Sequence, residues 1–218
     1  MERSKIEGGR GYRLNTGKEI PISLQAKGAT LEARFNAQST TRAVVITHPH
    51  PLYGGNMDNN VVEVIAAAYA GQDWSTLRFN FRGTGRSTGS YADGIGEQED
   101  VQAGIDYLLS KGYQSIDLAG YSFGAWVLAG WSRNHASHPY RLFLISPPVA
   151  FIEFDEMPVP GLRHVLTGAQ DDLAPPGLIQ KALPHWTPQA RLTPLRGADH
   201  FFWGHEQQLQ AELVSVIQ

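Results

Sequence analysis

From Arg42 onward the chain alternates between two periodicities, and that alternation restricts its fold more than any other feature. Short runs of buried-type strand, "RAVVITH" (42–48), "WSTLRFN" (74–80), "SIDLAG" (115–120), "RLFLIS" (141–146), "RHVLTG" (163–168) and "ARLTPL" (190–195), are separated by helical stretches. The helices are expected over roughly 58–71, 95–110, 123–134, 176–184 and 203–217. Strands that are apolar throughout and joined through helices need crossover connections, so they predict a mostly parallel sheet covered on both faces. Two alternating segments precede them, Ile20 to Ala26 and Thr30 to Asn36, joined at Lys27-Gly28 as a hairpin. Pro194 lacks a ladder donor and assigns the last strand to an edge. The fold class is therefore α/β, a doubly wound sheet of about eight strands formed by residues 20–218. Residues 1–19 carry no apolar periodicity and read as an N-terminal extension, disordered at least in part.

A chain of 218 residues that is 42% hydrophobic has the apolar material for a large core. Its net charge of −3 and scattered basic residues give no footprint for nucleic acid. The absence of cysteine excludes disulfides, thiolate metal sites and a cysteine nucleophile. No window approaches the roughly 20 apolar residues of a membrane span, and the first forty residues contain no apolar signal core. The expectation is a soluble cytoplasmic protein that binds neither nucleic acid nor membrane.

Within "LAGYSFGAWVLAGW" (118–131), Gly120 and Gly124 flank Ser122 at the turn from a central strand into a helix. Two glycines so close together would each cost a plain helix about 1 kcal/mol relative to alanine. A tight strand-to-helix turn explains them: it holds the serine in a sparsely populated backbone conformation and lifts its hydroxyl over the sheet edge. The helix start also turns free amides and the positive end of its dipole toward that hydroxyl.

A serine hydroxyl becomes a useful nucleophile when an imidazole takes its proton and a carboxylate fixes the imidazole tautomer. Of eight histidines, His200 in "GADHFF" lies at the carboxyl edge after the last strand, whereas His205 reads as a solvated position inside the final helix. For the acid, strand 163–168 runs into "AQDDLAPP". Asp171 is favoured at the tip of that turn over Asp172, with Asp155 a remoter choice. The loop "THPHPLYGGNMDNN" follows the first parallel strand. In its "HPHP", Pro49 and Pro51 have no N–H, which leaves the His50 amide to face the serine as an oxyanion donor. A metal held by His48 and His50 is the competing idea, and no carboxylate or cysteine cluster supports it. Two further strings fail on spacing: "GTGRSTG" (83–89) is not a dinucleotide fingerprint, and "TGKE" (16–19) is not a phosphate loop.

Five segments in order, "ITHPHPLYGGNMDNNVV", "LRFNFRGTGRSTGSY", "GIGEQEDV", "GYSFGA" and "GADHFF", resemble the small lidless bacterial α/β-hydrolases of the dienelactone-hydrolase and serine-peptidase-like branch. The resemblance covers about residues 28–217. It implies Ser122 as nucleophile, His200 as base, Asp171 as acid, and the amides of His50 and Phe123 as the oxyanion hole. It further implies an esterase-like serine hydrolase that acts on small carboxylic esters or thioesters, without cofactor or metal. A serine peptidase and a non-catalytic binding module are the alternatives. Only about seventeen residues (147–163) occupy the place where a lid would be inserted, so an open site is expected. Tyr53, Phe151, Phe154, Phe201 and Trp203 are its candidate lining.

Overall fold

In chain order the strands are β1 (Ile20–Ala26), β2 (Ala29–Asn36), β3 (Arg42–Thr47), β4 (Ser75–Phe79), β5 (Ser115–Tyr121), β6 (Arg141–Ile145), β7 (Leu162–Gly168) and β8 (Arg191–Leu195). The helices are α1 (Asn60–Ala70), α2 (Ile95–Ser110), α3 (Phe123–Asn134), α4 (Pro176–Trp186) and α5 (Glu206–Ile217). They belong to a computed structural model that describes residues 16–154 and 158–218. The strands form one sheet in the order β1-β2-β4-β3-β5-β6-β7-β8. The β1–β2 hairpin joins antiparallel to β4, and every pairing from β4 to β8 is parallel.

Strands β3 to β6 are buried along nearly their whole length, as apolar runs in a sheet covered on both faces must be. Two separate cores result. On one face Val101, Ile105 and Leu108 of α2, Val127 and Leu128 of α3 and Ile179 and Trp186 of α4 pack with Val45, Leu77, Leu118 and Leu144. On the other, the valines and alanines of α1 and Leu209, Leu213 and Ile217 of α5 pack with Val44, Ile46, Ala119 and Ile145. Helix α1 starts where Asn59 caps it, its side chain accepting the Val61 N–H at 3.0 Å. Helix α5 begins three residues later than the expected 203. Phe202 and Gly204 lie at φ 57° and 78°, which a right-handed helix cannot include. No helix among the described residues is long and apolar enough to cross a membrane.

Two polar clusters clamp the sheet, one at the amino ends of β5 and β6 and one on β4 beside the hairpin. Asp117 on β5 is buried and accepts two bonds from the Arg141 guanidinium of β6, at 2.8 and 2.7 Å, and a third from Tyr69 of α1 at 3.0 Å. Arg42 and Arg141 both lie over the Trp74 ring. Arg78 of β4 is buried too. It donates to both carboxylate oxygens of Glu19 at 2.8 and 2.6 Å, to Asp58 at 3.0 Å and to the Met57 carbonyl at 2.7 Å. Of the expected N-terminal extension, residues 1–15 lie outside the described residues. Thr16 to Glu19 are held on the sheet: the Asn36 amide donates to the Thr16 carbonyl at 3.0 Å, and Glu19 carries the Arg78 pair.

Removing one partner of a buried ion pair strands the other charge, which costs about 3–5 kcal/mol when nothing else neutralises it. Asp58 and Glu63 still face Arg78, at 3.0 and 3.6 Å. Glu19→Ala is therefore expected to lower stability by about 1–3 kcal/mol, read as a shift of the urea midpoint with an unchanged slope. A loss below about 0.5 kcal/mol would mean that the remaining carboxylates neutralise Arg78 unaided.

Candidate active site

The order β4-β3-β5 marks where the chain reverses its direction of winding, and the carboxyl ends of β3 and β5 open a crevice there. Ser122 follows β5 and His48 to His50 follow β3. Asp171 follows β7 and His200 follows β8, so the segments singled out in the sequence leave the same edge of the sheet.

Ser122 adopts φ 55° and ψ −119°, a conformation nearly confined to glycine. Its own N–H bonds the Ile145 carbonyl at 2.9 Å, while its carbonyl accepts the Ala125 and Trp126 amides. A Cβ built on Gly120 would lie 2.7 Å from the Gly124 backbone and from Thr47 Oγ1. One on Gly124 would lie 2.6 Å from Thr47 Oγ1 and 2.7 Å from the His48 carbonyl. Neither position has room for a side chain.

Ser122 Oγ lies 3.0 Å from His200 Nε2, and His200 Nδ1 lies 2.9 and 3.0 Å from the two oxygens of Asp171. Asp171 Oδ1 also accepts the amides of Leu173 at 2.9 Å and Ala174 at 2.7 Å. Burial pushes the Asp171 carboxyl up, but the hydrogen bond and charge of His200, together with the Ala174 amide, outweigh it and hold the carboxyl below its usual range. Asp172 is exposed, and Asp155 lies outside the described residues. His205 is not inside a helix but at the N-cap of α5, with Nδ1 3.2 Å from Gln208.

One contact in this group left no mark in the sequence reading. The buried Tyr121 hydroxyl donates to the His200 carbonyl at 2.8 Å and ties the loop after β8 to the end of β5. A phenol at the last position of a buried strand needs a partner, and that requirement was the available signal.

His48 and His50 do not converge on a common point. The Phe81 N–H donates to His48 Nε2 at 3.0 Å, which leaves the proton of the neutral ring on Nδ1, donating to the Pro49 carbonyl at 2.6 Å. His50 Nδ1 accepts the Leu52 N–H at 3.2 Å, and its Nε2 lies 3.3 Å from the Tyr91 hydroxyl. Among the described residues no group of three or more His, Asp or Glu could hold a metal ion.

A cleft of about 280 Å³ opens over Ser122 and His200. His50, Phe123, Tyr53, Phe151 and Phe201 line it, and so do Tyr121, Ile152 and Leu173. Two expected lining residues are placed elsewhere. Phe154 packs on Trp186 with ring centroids 5.2 Å apart, because the segment after Ile152 turns down over α4. Trp203 is exposed within the tight turn, between Phe202 and Gly204, and is not part of the cleft wall.

No protein-family model matches the chain. It is 32% identical over 189 residues to the Uncharacterized protein RP471 of Rickettsia prowazekii, an alignment covering 79% of this chain and 77% of that one. Among solved structures it is similar to an α/β serine hydrolase homologue from Coxiella burnetii, with TM-score 0.83 and 30% identity over 91% of this chain and 97% of the other. It is also similar to XC6422 from Xanthomonas campestris, described as an α/β serine hydrolase without lid. That match has TM-score 0.83 and 26% identity over 92% and 94% of the two chains.

The environment of His48 is expected to make stability depend on acid. Burial holds its ring at about 4, down from 6.5, against the bond to Pro49, which acts the other way; the charge of His50 lowers it further. The unfolded chain therefore binds the extra proton first, and stability falls as pH drops from 6.5 to 4, by up to about 3 kcal/mol from this group. Replacing His48 with a residue that does not titrate, as in His48→Asn, is expected to flatten that part of the curve in urea unfolding at pH 7, 5.5 and 4. A variant that weakens with acid as steeply as the natural chain would show that His48 does not carry the effect.

Proposed function

Because the chain belongs to the small lidless α/β-hydrolases, we propose that it is a serine hydrolase that cleaves carboxylic esters or thioesters of small acyl groups through an acyl-enzyme. The observation that carries this reading is the continuous hydrogen-bonded path from Ser122 Oγ through His200 to Asp171. Asp171, held ionised at neutral pH, accepts a hydrogen bond from the Nδ1–H of His200 and so leaves Nε2 unprotonated to face the serine. As Oγ attacks the ester carbonyl, its proton passes to Nε2. The tetrahedral oxyanion is held by the amides of Phe123, at the start of α3 where no intrahelical acceptor competes, and of His50. The bond to the alkoxide or thiolate then breaks, and Nε2 returns the proton to that leaving group. Water repeats the sequence on the acyl-serine and releases the acid. The backbone of Ser122 keeps Oγ aimed out of the sheet throughout, so no reorientation is needed at the moment of attack.

Ser122→Ala is expected to abolish covalent labelling by a fluorophosphonate and to lower kcat on an activated ester by about 10⁶. Persistent labelling of that variant would reject Ser122 as the nucleophile. The adjacent aspartates should behave differently: Asp171→Asn is expected to lower kcat by about 10⁴ at neutral pH, and Asp172→Asn by less than about tenfold. Kinetics of both variants on one ester decide between them; a crippled Asp172→Asn with an active Asp171→Asn would move the acid by one residue.

A further inference from the structure

The walls of the cleft carry information about the acyl group as well as the reaction. Four rings follow one another along the wall made by the proposed oxyanion loop, the start of α3 and the loop after β6. His50 lies 4.7 Å from both Phe123 and Tyr53, and Tyr53 lies 6.1 Å from Phe151, edge to face. Tyr53 is 74% and Phe151 56% exposed, although both are large and apolar enough to be covered. The leaving group must sit beside His200 Nε2 to receive its proton. The rings of this wall are therefore left to the acyl group.

Charge is the second observation. Among the described residues lining the cleft there is no lysine, arginine, aspartate or glutamate. The neighbouring polar cleft beyond Gly54 and Gly55 contains Arg82, but that guanidinium is committed to Asp100 at 2.7 Å. An acyl group with a second carboxylate would leave water with no cation to meet it. Size is the third: at about 280 Å³ the cleft falls at the small end of ligand sites. One ring on a short linker fits a cleft of that size.

Resting on the hydrolase reading above, we propose that the acyl group this site selects is neutral and aromatic, a single ring held edge and face against Tyr53, Phe151 and His50. Aliphatic acyl groups of similar length bind without the ring contacts, and dicarboxylic half-esters are rejected.

Three ethyl esters test this, since they share a small leaving group and are saturated beside the carbonyl: 3-phenylpropanoate, hexanoate and hemiglutarate, followed by proton release. The expected order in kcat/KM places 3-phenylpropanoate about tenfold above hexanoate, and hemiglutarate about a hundredfold below it. Phe151→Leu should narrow the first ratio to less than about threefold, and Ile152→Arg, which puts a cation in the wall, should raise hemiglutarate relative to hexanoate by about tenfold or more. Fluorophosphonate labelling of Ser122 in the natural chain accompanies each assay. Labelling with equal rates on the three esters, or with hemiglutarate preferred, overturns the aromatic acyl assignment and leaves the hydrolase reading intact. Absence of both labelling and ester turnover overturns the hydrolase reading and the acyl assignment with it.

Discussion

Helix α3 leaves β5 at its sharp angle because Gly120 and Gly124 let it come against Thr47 and the His48 carbonyl with no Cβ between them. That approach fixes several things together. It forces Ser122 into its positive φ, brings the start of α3 beside the loop after β3, and leaves the serine hydroxyl at the mouth of the crevice rather than in the core. The strained residue is tolerated because its neighbours over-determine it: its N–H is bonded to β6, its carbonyl to the first turn of α3, and the strands on either side are buried. A conformation that costs of order 1–3 kcal/mol is thus maintained by packing that exists for other reasons.

The two ends of the sheet divide the work. The Asp117–Arg141 pair joins β5 to β6 at their amino ends, and on the hairpin side Glu19, just before β1, meets Arg78 of β4. The carboxyl ends carry Ser122, Asp171 and His200, whose polar atoms are satisfied by each other and by backbone amides. The Asp117–Arg141 clamp shares no residue with the loops of the site, whereas Arg78 also ties down the loop after β3 through Met57 and Asp58. This division also leaves the cleft wall free of the charges that stabilise the sheet.

Much of this was legible in the chain itself, for identifiable reasons. Continuous apolar runs separated by helical periods admit few architectures, and the eight strands lie where those runs do. Gly120 and Gly124 could be read as contacts because two glycines around one serine have no use in an ordinary helix. The turn after β7 could be counted residue by residue, and Asp171, not Asp172, is the carboxylate turned to His200. Long-range partners were not legible. Glu19 stands in a segment without periodicity, and nothing local shows that a buried arginine 59 residues away will claim it. Phe154 and Trp203 failed as cleft residues for a related reason. Each lies at a change of direction in an irregular loop, and aromatic composition does not say which way such a loop turns. Tyr121 was hidden differently, as a residue that reads as core and yet carries a hydroxyl with a structural task.

Both outer strands of the sheet contain a proline, Pro21 in β1 and Pro194 in β8. Each removes one N–H from a strand with a neighbour on only one side. A second chain that tried to extend the sheet at either border would meet a broken row of donors, so growth into ribbons or fibres is discouraged at both ends. The fold can therefore carry a long, apolar, mostly parallel sheet whose two borders each present an interrupted template to another strand.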